Sequence, residues 1–146
     1  MLCDAGGVGG IASGQMLDIA SESNEIEYTE LLTLQSLKTG RLMRASAVLG
    51  AFAAGIDHTD EFLYSHIASY AEKLGLAFQI EDDLLDAEEE GSDTRRGLAT
   101  FLSFMTADDA KKMAKKLSDE AKEHIAKYEE NDFLCGLCDY LLEREY

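Results

Sequence analysis

Proline and tryptophan are absent from the 146 residues, cysteine occurs only three times, and 13 basic residues face 29 acidic ones. Each shortage excludes something. Proline punctuates loops and edge strands, so its absence beside abundant Ala, Leu, Glu and Lys points to an all-helical chain. The formal net charge of −16 argues against nucleic acid and anionic membrane as partners, because both attract basic patches. Cys3, Cys135 and Cys138 cannot all pair internally, and such scarcity fits a reducing cytoplasm. No secretory leader is evident, and the longest charge-free runs, Ala5 to Leu17 and Ala45 to Ile56, fall short of the roughly 18 residues of a membrane span. No membrane insertion is expected. What remains, 46% apolar residues, suffices for one core in a single domain spanning residues 1–146.

One stretch organises the chain: Phe78-Gln79-Ile80-Glu81-Asp82-Asp83-Leu84-Leu85-Asp86 opens apolar and turns acidic. On a helix, Gln79, Asp82, Asp83 and Asp86 recur at spacings of three and four, stacking an amide and carboxylates along one edge. Seven of the ten residues from Glu81 to Glu90 are acids, near a helix end where the macrodipole disfavours negative charge. A cation belongs there. Magnesium suits the pattern, since it takes oxygen ligands from one or two carboxylates and a substrate's phosphates; calcium does not, because the twelfth position of the apparent loop from Asp86 is Gly97. A solvated acidic helix end is the plain alternative.

The remaining segments read as helices and their connections. Leu2 to Ile19 carries Gly6, Gly10 and Gly14 every fourth residue, a small-residue face for close packing, with Gln15 and Asp18 sharing a face at its end. Its Gly7-Val8-Gly9-Gly10-Ile11-Ala12 is no dinucleotide fingerprint, because no strand precedes it. After a polar connection from Ser21 to Glu27, one long helix is expected from Tyr28 to about Gly55, apolar on most faces and therefore central, with Thr29 as a cap. It contains Lys38-Thr39-Gly40-Arg41, where a mid-helix glycine marks close approach of a backbone or ligand; a lone lysine such as Lys38 more often snorkels to the surface. Thr59, Asp60 and Glu61 open the helix that runs into the acids, and His66 within it, with no obvious partner, reads as a structural or surface histidine. A loop follows from Ala87 to Thr94, then Arg95, Arg96 and an apolar run from Leu98 to Met105. Thr106-Ala107-Asp108-Asp109 caps a solvated helix with Met113, Leu117, Ala121, Ile125 and Tyr128 inward, and Asn131 caps the last helix. Cys135 and Cys138 have redox spacing but neither a thioredoxin-like strand pattern nor a second pair, so they read as ordinary thiols.

Taken jointly and in this order, Gly14-Gln15-Met16-Leu17-Asp18, Lys38-Thr39-Gly40 and the Phe78 to Asp86 stretch resemble trans-isoprenyl diphosphate synthases, and the bacterial farnesyl diphosphate synthases or geranyltranstransferases most. The resemblance implies an all-α antiparallel helical bundle, part of the isoprenoid synthase fold, and corresponds to the C-terminal half of such an enzyme. It implies that Asp82, Asp83 and Asp86 form the second aspartate-rich motif and hold Mg2+, with Asp82 the foremost ligand. Lys38 and Thr39 would contact the allylic diphosphate, Gln79 would line the same pocket, Gln15 and Asp18 would sit on its wall, and Arg95 or Arg96 would replace a lysine of the family's following loop. The implied reaction condenses an allylic diphosphate with isopentenyl diphosphate, Lys38 and Asp82 carrying the chemistry. Exposed apolar faces left for the other half imply a homodimer or association with that half. Two further readings are a non-catalytic regulatory or interaction subunit, and a terpene cyclase of the same fold.

Overall fold

The computed structural model describes residues 1–22, 24–57, 59–90 and 99–144; Arg95, Arg96 and Leu98 lie outside them. Among the described residues the regular structure is entirely helical. Helices α1 (Leu2–Gly6), α2 (Ile11–Ser21) and α3 (Tyr28–Gln35) lead into a π-helical turn, Ser36–Gly40, and α4 (Arg41–Ala53). Helix α5 (Glu61–Glu90) follows, then a 3₁₀ turn (Phe101–Ser103), α6 (Ala107–Ile125) and α7 (Asp132–Glu143). None of these helices is long and apolar enough to cross a membrane.

Helix α5 is the spine. On one side Ala77, Ile80 and Leu84 pack with Leu31 of α3, Phe101 of the 3₁₀ turn and Ala110, Ala114 and Leu117 of α6. On another, Tyr70, Ala71 and Leu74 pack with Ala121 and Ile125 of α6 and Cys138 and Leu141 of α7. Ala77, Ala110, Ala114 and Ala121 are fully buried, so α5 and α6 approach closely through residues that lose no side-chain entropy on burial. Their cross-helix pairs descend in register: His66 with His124, Lys73 with Glu120, Glu88 with Lys111. The two helices are therefore antiparallel. The single long helix expected from Tyr28 is interrupted by the π-helical turn, and its two parts pack against both halves of the core, α3 through Leu31 and α4 through Met43 and Ala47.

Three boundaries also differ from expectation. The first segment is two helices, because the chain turns at Gly7–Gly10, and a Cβ on Gly10 would lie 1.9 Å from the Ala5 carbonyl oxygen. Helix α3 is capped by Glu27, not Thr29, in a reciprocal box in which the Glu30 carboxylate accepts from the Glu27 amide at 2.8 Å. Helix α5 continues past Ala87 to Glu90, with Lys111 of α6 reaching Glu88 at 3.4 Å, a small offset to the acid repulsion there. Thr106 does cap α6, its hydroxyl oxygen accepting from the Asp109 amide. Asn131 precedes α7 without a side-chain cap and instead donates from Nδ2 to the Ile125 carbonyl at 3.0 Å, joining the end of α6 to the start of α7. Of the structural and surface readings of His66 the contacts favour the first: its Nδ1 lies 2.8 Å from the His124 carbonyl oxygen and its ring sits edge-on to His124 and Tyr128. The three cysteines are unpaired, Cys138 buried in the core and its thiol pushed up by that burial.

Candidate functional site

Lys38 and Thr39 sit in the π-helical turn, a widened backbone often found at functional positions. Two close backbone approaches fix that turn. From α2, a Cβ on Gly14 would fall 2.5 Å from the Lys38 amide nitrogen and 2.7 Å from its Cα, so α2 lies directly on the Lys38 backbone. From α5, a Cβ on Gly75 would fall 3.5 Å from Gly40 Cα and 3.0 Å from Met43 Sδ. The mid-helix glycine of the Lys38 segment thus marks a helix crossing.

One turn beyond Gly14, Asp18 receives Lys38: Nζ donates to Oδ2 at 2.5 Å, with the carboxylate 15% and the lysine 35% exposed. Gln15, on the same helix, is exposed. On α5, residues 75, 79, 82 and 86 follow one another at spacings of four, three and four and so share a stripe. The Lys38 turn crosses this stripe at Gly75; half-buried Gln79 comes a turn later and Asp82 about 10 Å along the axis. Helix α2 therefore lies on the Lys38 turn, and that turn crosses α5 at Gly75, one turn before Gln79.

The acids themselves divide. Asp82 is half exposed at 49%, and its Oδ1 accepts from Arg144 Nη2 at 3.0 Å. Asp86 is half-buried one turn on. Asp83, 8% exposed, turns into the protein, where its Oδ2 accepts from the Phe101 amide at 2.7 Å and tethers the fully buried Phe101. Among the described residues no three His, Cys, Asp or Glu side chains converge on a point. Arg96 lies outside the described residues, so its place beside the acids is not defined.

Sequence reasoning missed Arg144. Nothing in Glu143-Arg144 marks it, since an arginine among acids near a chain end is ordinary; only its contacts single it out. Beside it, Glu81 belongs to a different face of α5 and lines a cavity of about 730 Å³ between α5, α6 and α7, with Leu84, Leu85, Glu88, Lys111, Lys115 and Arg144. That cavity does not include Lys38, Asp82 or Asp86. Burial pushes the Glu81 carboxyl above the usual carboxylate range, against the lowering influence of Arg144 and Lys111. A carboxyl whose folded value is raised is a burden when ionised, and the burden vanishes below the unfolded value. Glu81→Gln is accordingly expected to raise the melting temperature at neutral pH, with the gain disappearing near pH 3; thermal melts across pH 3 to 8 measure it.

The donor set fits a magnesium ion. Asp82 and Asp86 carry hard carboxylate oxygens one helical turn apart, the donor type that magnesium takes beside water and phosphate.

Comparison with known proteins agrees in pattern and in shape. The polyprenyl synthetase family model matches residues 6–133. Farnesyl diphosphate synthase of Escherichia coli is 33% identical over 155 residues, an alignment covering 98% of this chain and 51% of that protein. An FPP/GFPP synthase from Zymomonas mobilis superposes with a TM-score of 0.84 at 34% identity, over 96% of this chain and 48% of that one. The geranyltransferase of Helicobacter pylori, in a complex with magnesium and isoprenyl diphosphate, gives 0.77 at 29% identity, over 97% and 48%. The chain spans about half the length of the curated relatives it matches. With its motifs in order, its helices superposing on solved synthases and the family pattern running through most of its length, the chain belongs to the polyprenyl synthetase family.

Proposed function

We propose that this chain supplies one wall of a short-chain prenyltransferase that joins an allylic diphosphate to isopentenyl diphosphate, making farnesyl or geranylgeranyl diphosphate. The observation that carries the reading is the π-helical turn bearing Lys38 and Thr39, packed at Gly40 onto the same stripe of α5 that carries Gln79, Asp82 and Asp86. A cation-bearing turn and a carboxylate row on one face suit a metal-bridged diphosphate.

Asp82 and Asp86 would hold magnesium, which when bound supplies Lewis-acid neutralisation of the departing diphosphate. Lys38 stabilises the same charge as the carbon–oxygen bond breaks, and its donor is already aimed because Asp18 fixes the ammonium. Thr39 offers a hydroxyl on the same turn, while Gln79 and Gln15 contribute polar groups to the wall. Asp83 serves the site through the fold, anchoring Phe101 at the return of the chain after α5. The allylic cation left behind is attacked by the double bond of isopentenyl diphosphate, and loss of a proton from the adduct gives a product five carbons longer. Farnesyl and geranylgeranyl diphosphate synthases among the relatives support this substrate class.

Met16 and Ile19, 73% and 58% exposed on α2, support burial of that face by a second copy or by the remainder of a synthase. Three unpaired cysteines suit the cytoplasm. The half-length match to relatives keeps one other reading open, a subunit that assembles with a separate synthase without catalysing. The complete synthase, given magnesium, geranyl diphosphate and isopentenyl diphosphate, is expected to yield a product one isoprene unit longer. Absence of elongation with any allylic diphosphate refutes the enzymatic reading and favours the subunit.

A further inference from the structure

Arg144 follows the last turn of α7 and returns to α5, where its side chain is 13% exposed. Three contacts hold the guanidinium: Nη2 donates to Asp82 Oδ1 at 3.0 Å and lies 3.4 Å from the Phe78 carbonyl oxygen, and Cζ sits 4.3 Å above the Phe78 ring. Two of the three do not involve Asp82. The arginine is thus seated on Phe78 by a cation–π contact and a carbonyl bond, and the carboxylate comes to it. Asp82, half exposed on a helix, would otherwise sample several rotamers.

We propose that Arg144 is a positioning residue for Asp82: it fixes one carboxylate oxygen on a rigid cationic platform and so turns the other toward the diphosphate side of α5. This rests on the reading of Asp82 as a metal ligand. An oxygen held by a hydrogen-bonding partner behind it is the usual means by which a ligating carboxylate is oriented, and loss of such a partner typically weakens metal binding about 10- to 100-fold. The planar fork matters as well as the charge. A lysine could reach Asp82 but would neither stack on Phe78 in the same way nor hold a fixed angle. Residue 144 also joins the end of α7 to the acidic stripe, so the last helix takes part in shaping the site it does not line.

The test uses the 146-residue chain with manganese as a spectroscopic probe and inorganic pyrophosphate, free manganese being counted by electron paramagnetic resonance. Asp82→Ala should abolish the pyrophosphate-dependent binding. Arg144→Gln should weaken it about tenfold, and Arg144→Lys should recover only part of that loss. Leu137→Ala, which trims the packing of the same helix without touching α5 acids, serves as the structural control and should lower the melting temperature while leaving manganese affinity unchanged. Unchanged or tighter binding by Arg144→Gln overturns the proposal, as does an equal loss in Leu137→Ala. If Asp82→Ala itself binds like the wild type, the metal-ligand reading falls and this proposal with it. If only the Arg144 variants behave like wild type, that reading stands.

Discussion

Asp82→Ala is expected to lower the elongation rate of the complete synthase by about 10²- to 10³-fold with little loss of stability, the usual cost of removing one preorganised electrostatic stabiliser. Asp83→Ala should do the reverse. The neighbours differ in sequence by one position and in environment by nearly everything. Asp82 is half exposed and its partner Arg144, itself largely buried, keeps two other contacts, so truncation leaves one part-buried hydrogen bond unmade, worth about 1 kcal/mol. Asp83 is buried and accepts from the Phe101 amide, and without it that buried donor has lost its carboxylate. Such a loss costs about 1–3 kcal/mol, which for a chain of this size lowers the melting temperature by roughly 3–10 °C. Asp83→Asn retains an acceptor oxygen and should restore much of the stability. Thermal melts of the three variants beside initial rates settle the division of labour. Equal stability losses at 82 and 83, or an Asp83→Asn variant as unstable as Asp83→Ala, would show the tether to be unimportant.

This division explains what could be read in the residues beforehand and what could not. Spacing of three and four put Gln79, Asp82, Asp83 and Asp86 on one edge, and α5 does carry them within one arc. Periodicity, however, resolves an arc of about 100° and no finer, so it could not tell that Asp83 lies on the buried rim and Asp82 on the open one. The distinction is made by Phe101, eighteen residues away in the sequence. Helical content was legible for a firmer reason: without proline, and with alanine at the buried positions of α6, nearly every local preference agrees with the fold. Glycine was harder. The segment from Leu2 reads as one helix with a small face, yet Gly7 to Gly10 end it, and of Gly6, Gly10 and Gly14 it is Gly14 that lies against the Lys38 turn. Arg144 was invisible for the same reason as Phe101, since both act through partners more than fifteen residues away.

Gly14→Ala is expected to destabilise the chain and to loosen Lys38, although alanine is the better helix former. In an unconstrained helix the exchange gains about 1 kcal/mol. At Gly50 in α4 and Gly136 in α7 an added Cβ meets nothing within 4 Å, so Gly50→Ala and Gly136→Ala should show that gain as a higher melting temperature. At Gly14 the methyl would lie 2.5 Å from the Lys38 amide nitrogen, 2.7 Å from its Cα and 2.9 Å from its Cβ. None of these is the end of a flexible side chain, so relief requires α2 to withdraw from the π turn by the better part of an ångström. Overpacking of this kind costs about 1–3 kcal/mol, enough to cancel the propensity gain and reverse its sign. The withdrawal would also carry Asp18, one turn along the same helix, away from Lys38 and break the 2.5 Å pair. A lysine no longer held should bind the allylic diphosphate less well, so the Gly14→Ala synthase is expected to show a raised KM for that substrate beyond any fall in kcat. The Gly50→Ala enzyme should keep both constants. If Gly14→Ala melted higher than the wild type with an unchanged KM, the close contact between α2 and the Lys38 backbone would not be what aims the lysine.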